Sequence, residues 1–379
     1  MRLGIQQRLL PDFRGPLYDA IALKNCGPVE VYAGFPRAEE GIKRSEGLQH
    51  AKWQVCHNRC FSIAGQKAYW QPNFSDWLQT FKPDVLLAES NPRLLSNYIG
   101  LRCARNLGVV VIGWGIGVMG NAKDQGPYGM FMRKYFRQFD GMIAYGTKGA
   151  EDLKRLGVDP KRVFIARNSV STTQIDQVLE NPVSVEDLVQ RFRTHYQIKG
   201  ERVVLYLGRM VSEKRADVLL EAVGRIKQDC HLLLVGDGPL RSELEREVKK
   251  HNLVATFTGH LKGRDLVSAI LTSDLCVLPG QGGLAIQEVM AAGVPVIAGV
   301  ADGTQHDLIK QGVTGFHFGR GTASELAELI TNCLSDPQRL KEVGKAAREL
   351  VRRQHNLDIA VESVFASIQS IQHNKSRGT

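Results

Sequence analysis

The chain has 379 residues, a formal net charge of +10, 43% hydrophobic and 23% charged residues. That length exceeds what one core usually supports, so two domains are expected, and the composition argues against a fibrous or disordered chain. No apolar run approaches the ~20 residues a spanning helix needs, and MRLGIQQRLLPDF lacks the apolar core and cleavage site of a signal peptide.

A cytoplasmic protein is therefore expected, and seven scattered cysteines suit a reducing compartment. Cys56-His57-Asn58-Arg59-Cys60 is their only cluster and has no second ligand pair, so no metal site is expected. The positive charge favours anionic partners such as nucleotide phosphates or an anionic membrane surface. Nucleic acid is not expected, because the cations are interspersed with acids and lack base-stacking aromatics.

In chain order, the first half carries short apolar runs at Met1–Gln6, Val29–Tyr32, Asp84–Ala88, Val109–Trp114 and Gly141–Tyr145. The second half carries Val203–Leu207, His231–Val235, Ala255–Thr258, Leu275–Leu278 and Val294–Ala298. Amphipathic stretches separate them, among them Ala216–Ile226, Leu240–His251 and Ala323–Leu334. The alternation predicts α/β architecture, with two doubly wound parallel sheets facing across a cleft. The expected boundaries are 1–170, a polar linker at 171–199, a second domain at 200–355, and a C-terminal helix at 356–379 that packs back towards the first domain.

Polar residues at the carboxyl end of a parallel strand point to where ligands bind. Glu89 and Asn91 follow the run Asp84–Ala88 and are acceptor-side candidates, with helix capping by Ser90 or Asn91 as the plain alternative. Gly115, Gly117 and Gly120 fit the spacing of a dinucleotide fingerprint, with Asp140 at about the right distance. The context is wrong for one: Asn121–Gly126 is polar, and Asp140 precedes a strand instead of ending it. Pro127–Phe139 reads as an amphipathic helix with Tyr128, Phe131, Met132, Tyr135, Phe136 and Phe139 on one stripe. Arg133, Lys134 and Arg137 lie opposite, either solvated or docked on an anionic membrane.

Four segments in the second half follow the order a nucleotide diphosphate sugar would need. Leu207-Gly208-Arg209 through Lys214 sets two cations at a strand end, suited to phosphate oxygens. Leu233–Pro239 and Phe257-Thr258-Gly259-His260-Leu261 each end a strand in a glycine turn. In Leu278-Pro279-Gly280-Gln281-Gly282-Gly283-Leu284, a strand gives way to glycines and then to a helix whose amides would face phosphate. Glu288 interrupts that helix's apolar sequence, and Gly293 and Pro295 close it.

Over roughly Glu201 to Cys333 these segments resemble the retaining GT-B glycosyltransferases of family 4, the group 1 glycosyl transferases. The resemblance implies transfer of a sugar from a UDP- or GDP-sugar to a glycan or lipid-linked acceptor. Such chemistry belongs to cell-surface polysaccharide or glycolipid synthesis and needs neither metal nor cofactor. It assigns the donor diphosphate to Arg209, Lys214, Gly283 and Leu284, the base to Gly259, His260 and Leu261, and the ribose to Glu288. Gly280, Gln281 and Gly282 would face the donor sugar. Val300–Phe318, including Asp302 and Gly303, resembles the segment that follows in the family. On the acceptor side, Arg14 and Gly15 sit in the loop that the family runs under its cleft. Trp114 and Gly115 open a second such loop.

Two departures stand out. The family carries two glutamates with seven residues between them, and the first falls on Gly280 here. A histidine common in the loop after Trp114 is replaced by Ile116, so no catalytic base is assigned. The rival expectations are a non-catalytic nucleotide-sugar binder or partner subunit, a nucleotide-sugar epimerase and a dehydrogenase.

Overall fold

The computed structural model describes residues 1–63, 65–117, 126–227, 229–300, 303–319 and 321–377. Gly120, most of the polar stretch from Asn121, and Asp302 lie outside them. The chain divides into two units, Met1–Val170 with Leu357–Thr379, and Ser171–Asn356.

In the first unit the aliphatic runs become strands of one parallel sheet. They are β1 (Leu3–Leu9), β2 (Val29–Gly34), β3 (Lys52–Cys56), β6 (Val85–Glu89), β7 (Val110–Gly115), β8 (Gly141–Ala144) and β9 (Val163–Ile165). Between β3 and β6, β4 (Arg59–Ile63) and β5 (Gln66–Trp70) form a separate antiparallel hairpin. The sheet order is β3-β2-β1-β6-β7-β8-β9, the doubly wound order with its reversal between β1 and β6. The pleat sends Leu3, Ile5, Leu87, Ile112 and Ile143 to one core, and Leu86, Ala88, Val111 and Met142 to another on the opposite face. Burying each such aliphatic contributes roughly 1.5–3 kcal/mol. Helix Leu357–Arg377 adds Ala360, Val361, Val364, Ile368 and Ile371 to the first of these cores.

The second unit repeats the plan. Its strands are β10 (Arg202–Leu207), β11 (Cys230–Val235), β12 (Ala255–Gly259), β13 (Leu275–Leu278), β14 (Val296–Gly299) and β15 (Phe316–Gly319). Their order is β12-β11-β10-β13-β14-β15, all parallel, with the reversal between β10 and β13. Alternate residues of β10 enter opposite cores, Val203, Leu205 and Leu207 on one face and Val204 and Tyr206 on the other.

Three differences from the sequence reading have physical causes. The stretch expected as a linker, 171–199, is instead helical at Thr173–Leu179 and Pro182–His195. Its sparse apolar residues Ile175 and Phe192, with Ile198, are spaced to reach one core and anchor it in the second unit. Edge strand β3 and the hairpin escaped notice because KWQVC and RCFSI are half-exposed and polar. The stripe expected on Pro127–Phe139 is broken. The helix spans Gly126–Phe136 and buries Met132, Tyr135 and Phe136, with Phe139 beyond it, while Tyr128 and Phe131 are exposed together with Met130.

Candidate functional site

In an open parallel sheet, the crevice for a ligand lies beyond the carboxyl ends where the strand order reverses. In the second unit that point is flanked by the loops after β10 and β13. Tyr206 ends its phenol in a hydrogen bond to the Arg209 carbonyl at 2.8 Å. Burial pushes its pKa well above the usual phenol range, so the hydroxyl remains a donor and fixes the loop. Gly208 donates to the Val235 carbonyl at 3.0 Å and Met210 to the Asp237 carbonyl at 2.8 Å, tying this loop to the glycine turn after β11. A side chain at Gly236 would strike the Gly208 carbonyl, and one at Gly238 would lie 2.5 Å from the Met210 carbonyl. Both glycines of the Gly236-Asp237-Gly238 turn are therefore required by packing.

Arg209 and Lys214 are half-buried in this loop. The Lys214 ammonium donates to the Gln281 carbonyl, and the Gln281 amide donates to the Glu213 carbonyl at 3.1 Å. The loops after β10 and β13 are thus laced together. Gly280 is where this lacing is tightest, since a Cβ there would overlap the Glu213 carbonyl and lie 2.9 Å from the Lys214 Cα. The family's first glutamate would not fit this backbone. Gly282 is similarly closed off by Ile286, with 2.5 Å to its Cδ1, and Gln281 is exposed.

Helix Leu284–Ala291 then begins at Gly283, whose φ of 60° and ψ of −143° suit glycine alone. Gly283 as N-cap brings no side chain of its own to this helix start, and among the described residues nothing lies within 4 Å of where a Gly283 side chain would point. The first-turn amides of a helix carry the positive end of its dipole, which favours anionic oxygens. Glu288 is half-buried one turn on, whereas its neighbour Gln287 is fully buried and donates to the His355 carbonyl. At the end of β12, the Gly259 carbonyl accepts from Gly236 at 2.8 Å, His260 is exposed, and Leu261 packs against the core. Arg241 approaches Gly259 to 3.4 Å from its would-be Cβ while paired with Glu245 and Asp237. The sequence reading did not single it out, since a first-turn arginine in a polar helix carries no distinguishing signal.

The acceptor-side candidates are arranged differently from expectation. Arg14, expected in a loop under the cleft, is 8% exposed and lies over the Tyr145 ring at 4.9 Å. Burial works against its charge, but Tyr145, Tyr18 and Glu89 around it more than offset this and raise its pKa. Gly15 is buried at the start of helix Gly15–Lys24. Trp114, expected to open onto a cleft, is buried edge-on between Tyr18 and Tyr145 at 6.3 and 6.0 Å. Gly115 has no room for a side chain, with Ser90 Oγ 2.7 Å from its would-be Cβ. Glu89 accepts from the Arg8 amide at 2.6 Å and from Asn91 Nδ2 at 3.1 Å, while Asn91 Oδ1 accepts from the Arg93 amide. Asn91 thus makes a turn. Asp140 precedes β8 and accepts from the Val111 amide at 2.8 Å, the wrong end of the sheet for a ribose-binding acid.

Residues 189–350 match the family described as Glycosyl transferases group 1. A GDP-mannose-dependent alpha-mannosyltransferase of Mycolicibacterium smegmatis is 31% identical over 295 residues, 74% of this chain and 72% of that protein. The chain belongs to the group 1 glycosyltransferases. A sulfoquinovosyl transferase of Arabidopsis thaliana is 32% identical over 39% of this chain and 29% of its own length. An alpha-D-kanosaminyltransferase of Streptomyces kanamyceticus is 29% identical over 47% of this chain and 48% of its own. The chain therefore spans less than half of these two relatives. Among solved structures, Anabaena HepE in complex with UDP superposes with a TM-score of 0.77 at 18% identity, covering 97% of this chain and 99% of that one. Sucrose-phosphate synthase from Thermosynechococcus elongatus gives 0.74 at 18%, covering 99% and 100%. Two Rossmann-like sheets and these neighbours bear out the expected GT-B fold.

Proposed function

We propose that this group 1 glycosyltransferase moves a sugar from a nucleoside diphosphate donor to a glycan or lipid-linked acceptor in making a cell-surface polysaccharide or glycolipid. The observation that carries the reading is the glycine helix start at Gly283, tied through Gln281 to the loop of Arg209 and Lys214 at the strand reversal. The donor's diphosphate would lie against the Gly283 and Leu284 amides and the two cations, its base near Gly259–Leu261 and its ribose at Glu288. The sugar would meet Gln281 and the backbone of Gly280 and Gly282 in place of a carboxylate.

Transfer then proceeds with retention. The bond from the anomeric carbon to the diphosphate breaks, the acceptor hydroxyl attacks from the same face, and its proton passes to the departing diphosphate. The protein's share is positioning and stabilising the negative charge that develops on the leaving group. Cations and helix amides supply that charge complement, so the reaction needs no metal.

The donor reading is tested by thermal unfolding with UDP, GDP, ADP, NAD and NADP, repeated on Arg209→Ala. A ligand at about a hundred times its dissociation constant adds roughly 2.7 kcal/mol. Stabilisation by one nucleoside diphosphate, absent in Arg209→Ala, is expected; stabilisation by none would overturn it.

A lipid-linked acceptor also calls for contact with a bilayer. The exposed Tyr128, Met130 and Phe131, followed by exposed Lys134 and Arg137, support docking on an anionic surface at the inner face of the membrane. No helix among the described residues is long and apolar enough to cross one. Flotation with phosphatidylglycerol vesicles should carry the wild type up and leave a Lys134→Glu/Arg137→Glu variant behind; equal flotation would remove the membrane from the reading.

A further inference from the structure

Strand β12 is an edge of the second unit's sheet, paired with β11 alone, and all five of its residues are half-buried. Its end is irregular. Leu234 of β11 pairs with Phe257 but Val235 pairs with Gly259, so Thr258 bulges out of the ladder. Gly259 follows with a φ of 75°, a left-handed conformation that favours glycine. A bulge at an edge re-aims the backbone and ends regular pairing, so the turn beyond it depends on other groups to hold its direction. Two of these fill the Gly259 carbonyl, which accepts from the Gly236 amide at 2.8 Å and from the Thr258 hydroxyl at 3.0 Å.

The third group is Arg241. Its helix, Arg241–Lys250, starts where the loops after β10 and β11 meet. The Leu240 amide donates to the Met210 carbonyl at 3.1 Å, and the Arg241 amide donates to the Gly238 carbonyl at 3.0 Å. From that start the side chain runs across to β12. Its guanidinium carbon stands 6.0 Å from the Phe257 ring centroid, and Nη1 is 3.4 Å from where a Gly259 Cβ would be. Carboxylates four residues away on either side fix it there: Asp237 accepts from Nη1 at 3.2 Å and Glu245 from Nε at 2.8 Å. Ion pairs this exposed add little to stability. What they fix is the place of a planar, multi-donor fork.

We propose that Arg241 is the positioning residue of the donor-base turn: clamped between Asp237 and Glu245, it braces Gly259 so that the nucleobase meets His260 and Leu261 on a backbone held in place. The inference rests on the donor reading above and deepens it, because it separates the hold on the base from the hold on the diphosphate. A base edge is read by hydrogen bonds, which weaken steeply with misalignment. Attraction between phosphate and cations depends on distance more than on angle, so it tolerates a small shift. The backbone ties of Leu240 and Arg241 to Met210 and Gly238 survive a change of side chain. Removing the guanidinium therefore loosens the base and leaves the diphosphate held.

The test is calorimetric titration of the full chain with UDP, GDP and inorganic pyrophosphate, for wild type, Arg241→Met and Glu245→Gln. Pyrophosphate reads the diphosphate alone, and whichever of UDP and GDP binds wild type more tightly reads base and diphosphate together. Arg241→Met keeps an apolar stem and removes the fork. Glu245→Gln only loosens the clamp, so it reports even if Arg241→Met folds poorly. The nucleotide's advantage over pyrophosphate is expected to fall roughly tenfold in Arg241→Met and less in Glu245→Gln. Pyrophosphate affinity should stay as it is, and the preference between UDP and GDP should narrow. An unchanged advantage in both variants overturns the proposal, and so does equal weakening of nucleotide and pyrophosphate, which marks a purely structural role. Wild type that binds pyrophosphate as tightly as either nucleotide also overturns it, while leaving the diphosphate reading intact. Binding of none of the three overturns the donor reading, and this proposal with it.

Discussion

The two units share a strand order and differ at the ends of their strands. In the second unit the carboxyl ends give way to glycines, and among the described residues nothing lies within 4 Å of where a side chain at the helix start Gly283 would point. In the first unit the equivalent ends are filled by Gln7, Glu89, Trp114 and Tyr145, with Arg14 folded over them. On the proposed reading one unit binds through main-chain amides at a helix terminus, a surface that needs little reorganisation. The other packs large side chains at the same place. A shared topology thus leaves the strand ends free to differ, and it is their side chains, not the fold, that set what each end can do.

The largest expected effects come from filling the glycines that hold each unit's loops. Gly236→Ala would drive a methyl into the Gly208 carbonyl at a φ of 132°, and Gly149→Ala would drive one into the Ile116 carbonyl. Overpacking of this kind costs about 1–3 kcal/mol, and Gly236→Ala adds a backbone penalty. Both should lower the denaturation midpoint. Only Gly236→Ala should also weaken nucleoside diphosphate binding, because it displaces the Arg209 loop. Equal loss of nucleotide binding in Gly149→Ala would break the division of labour between the units.

Gly283→Ala tests the open helix start with a smaller change. Nothing crowds the new methyl, so its cost is the backbone conformation alone, on the order of 1–2 kcal/mol. Nucleotide affinity, measured by calorimetry, should fall more than stability does, since the methyl enters the space proposed for phosphate. A variant that loses stability but binds UDP or GDP as before would place the diphosphate elsewhere.

Legibility differed along the same line. The second unit could be read from residues 201–333 because glycines, a helix start and two cations follow one another along the chain, each tied to a strand end. What remained hidden was contact between segments distant in sequence. Gly280 read as a lost glutamate, whereas the fold shows the Glu213 and Lys214 backbone occupying that side chain's place. In the first unit Arg14 and Trp114 read as open contacts but are buried, since nothing local reveals that Tyr145, more than a hundred residues away, lies under the guanidinium. Gln7 was passed over, although a glutamine two residues beyond Ile5, on the same strand face, is a polar interruption visible in LGIQQRL. The polar helices at 173–195 were missed because few apolar residues suffice to anchor a helix that covers one edge of a core.

The smallest effect concerns the opposite end of the second unit's sheet, where His231 near the start of β11 is 3% exposed. Its Nδ1 accepts from the Lys199 amide at 3.0 Å, so Nε2 carries the proton and bonds the Thr256 hydroxyl at 2.9 Å. Burial first, and then the Arg193 and Lys199 charges, lower its pKa, while Asp229 acts against the shift. Between the depressed folded value and the ordinary value of about 6.5, the unfolded chain binds more protons than the folded one. His231 therefore contributes stability in full above the ordinary value and loses it as pH falls towards the folded value. In His231→Gln, the fall of the unfolding midpoint between about pH 7 and 5 should be shallower than in wild type, with UDP or GDP affinity at pH 7.5 unchanged. An unaltered slope would show that the acid sensitivity of this unit lies elsewhere. Altered nucleotide affinity would show that its two ends are coupled through β11, against the view that only the carboxyl end serves the ligand.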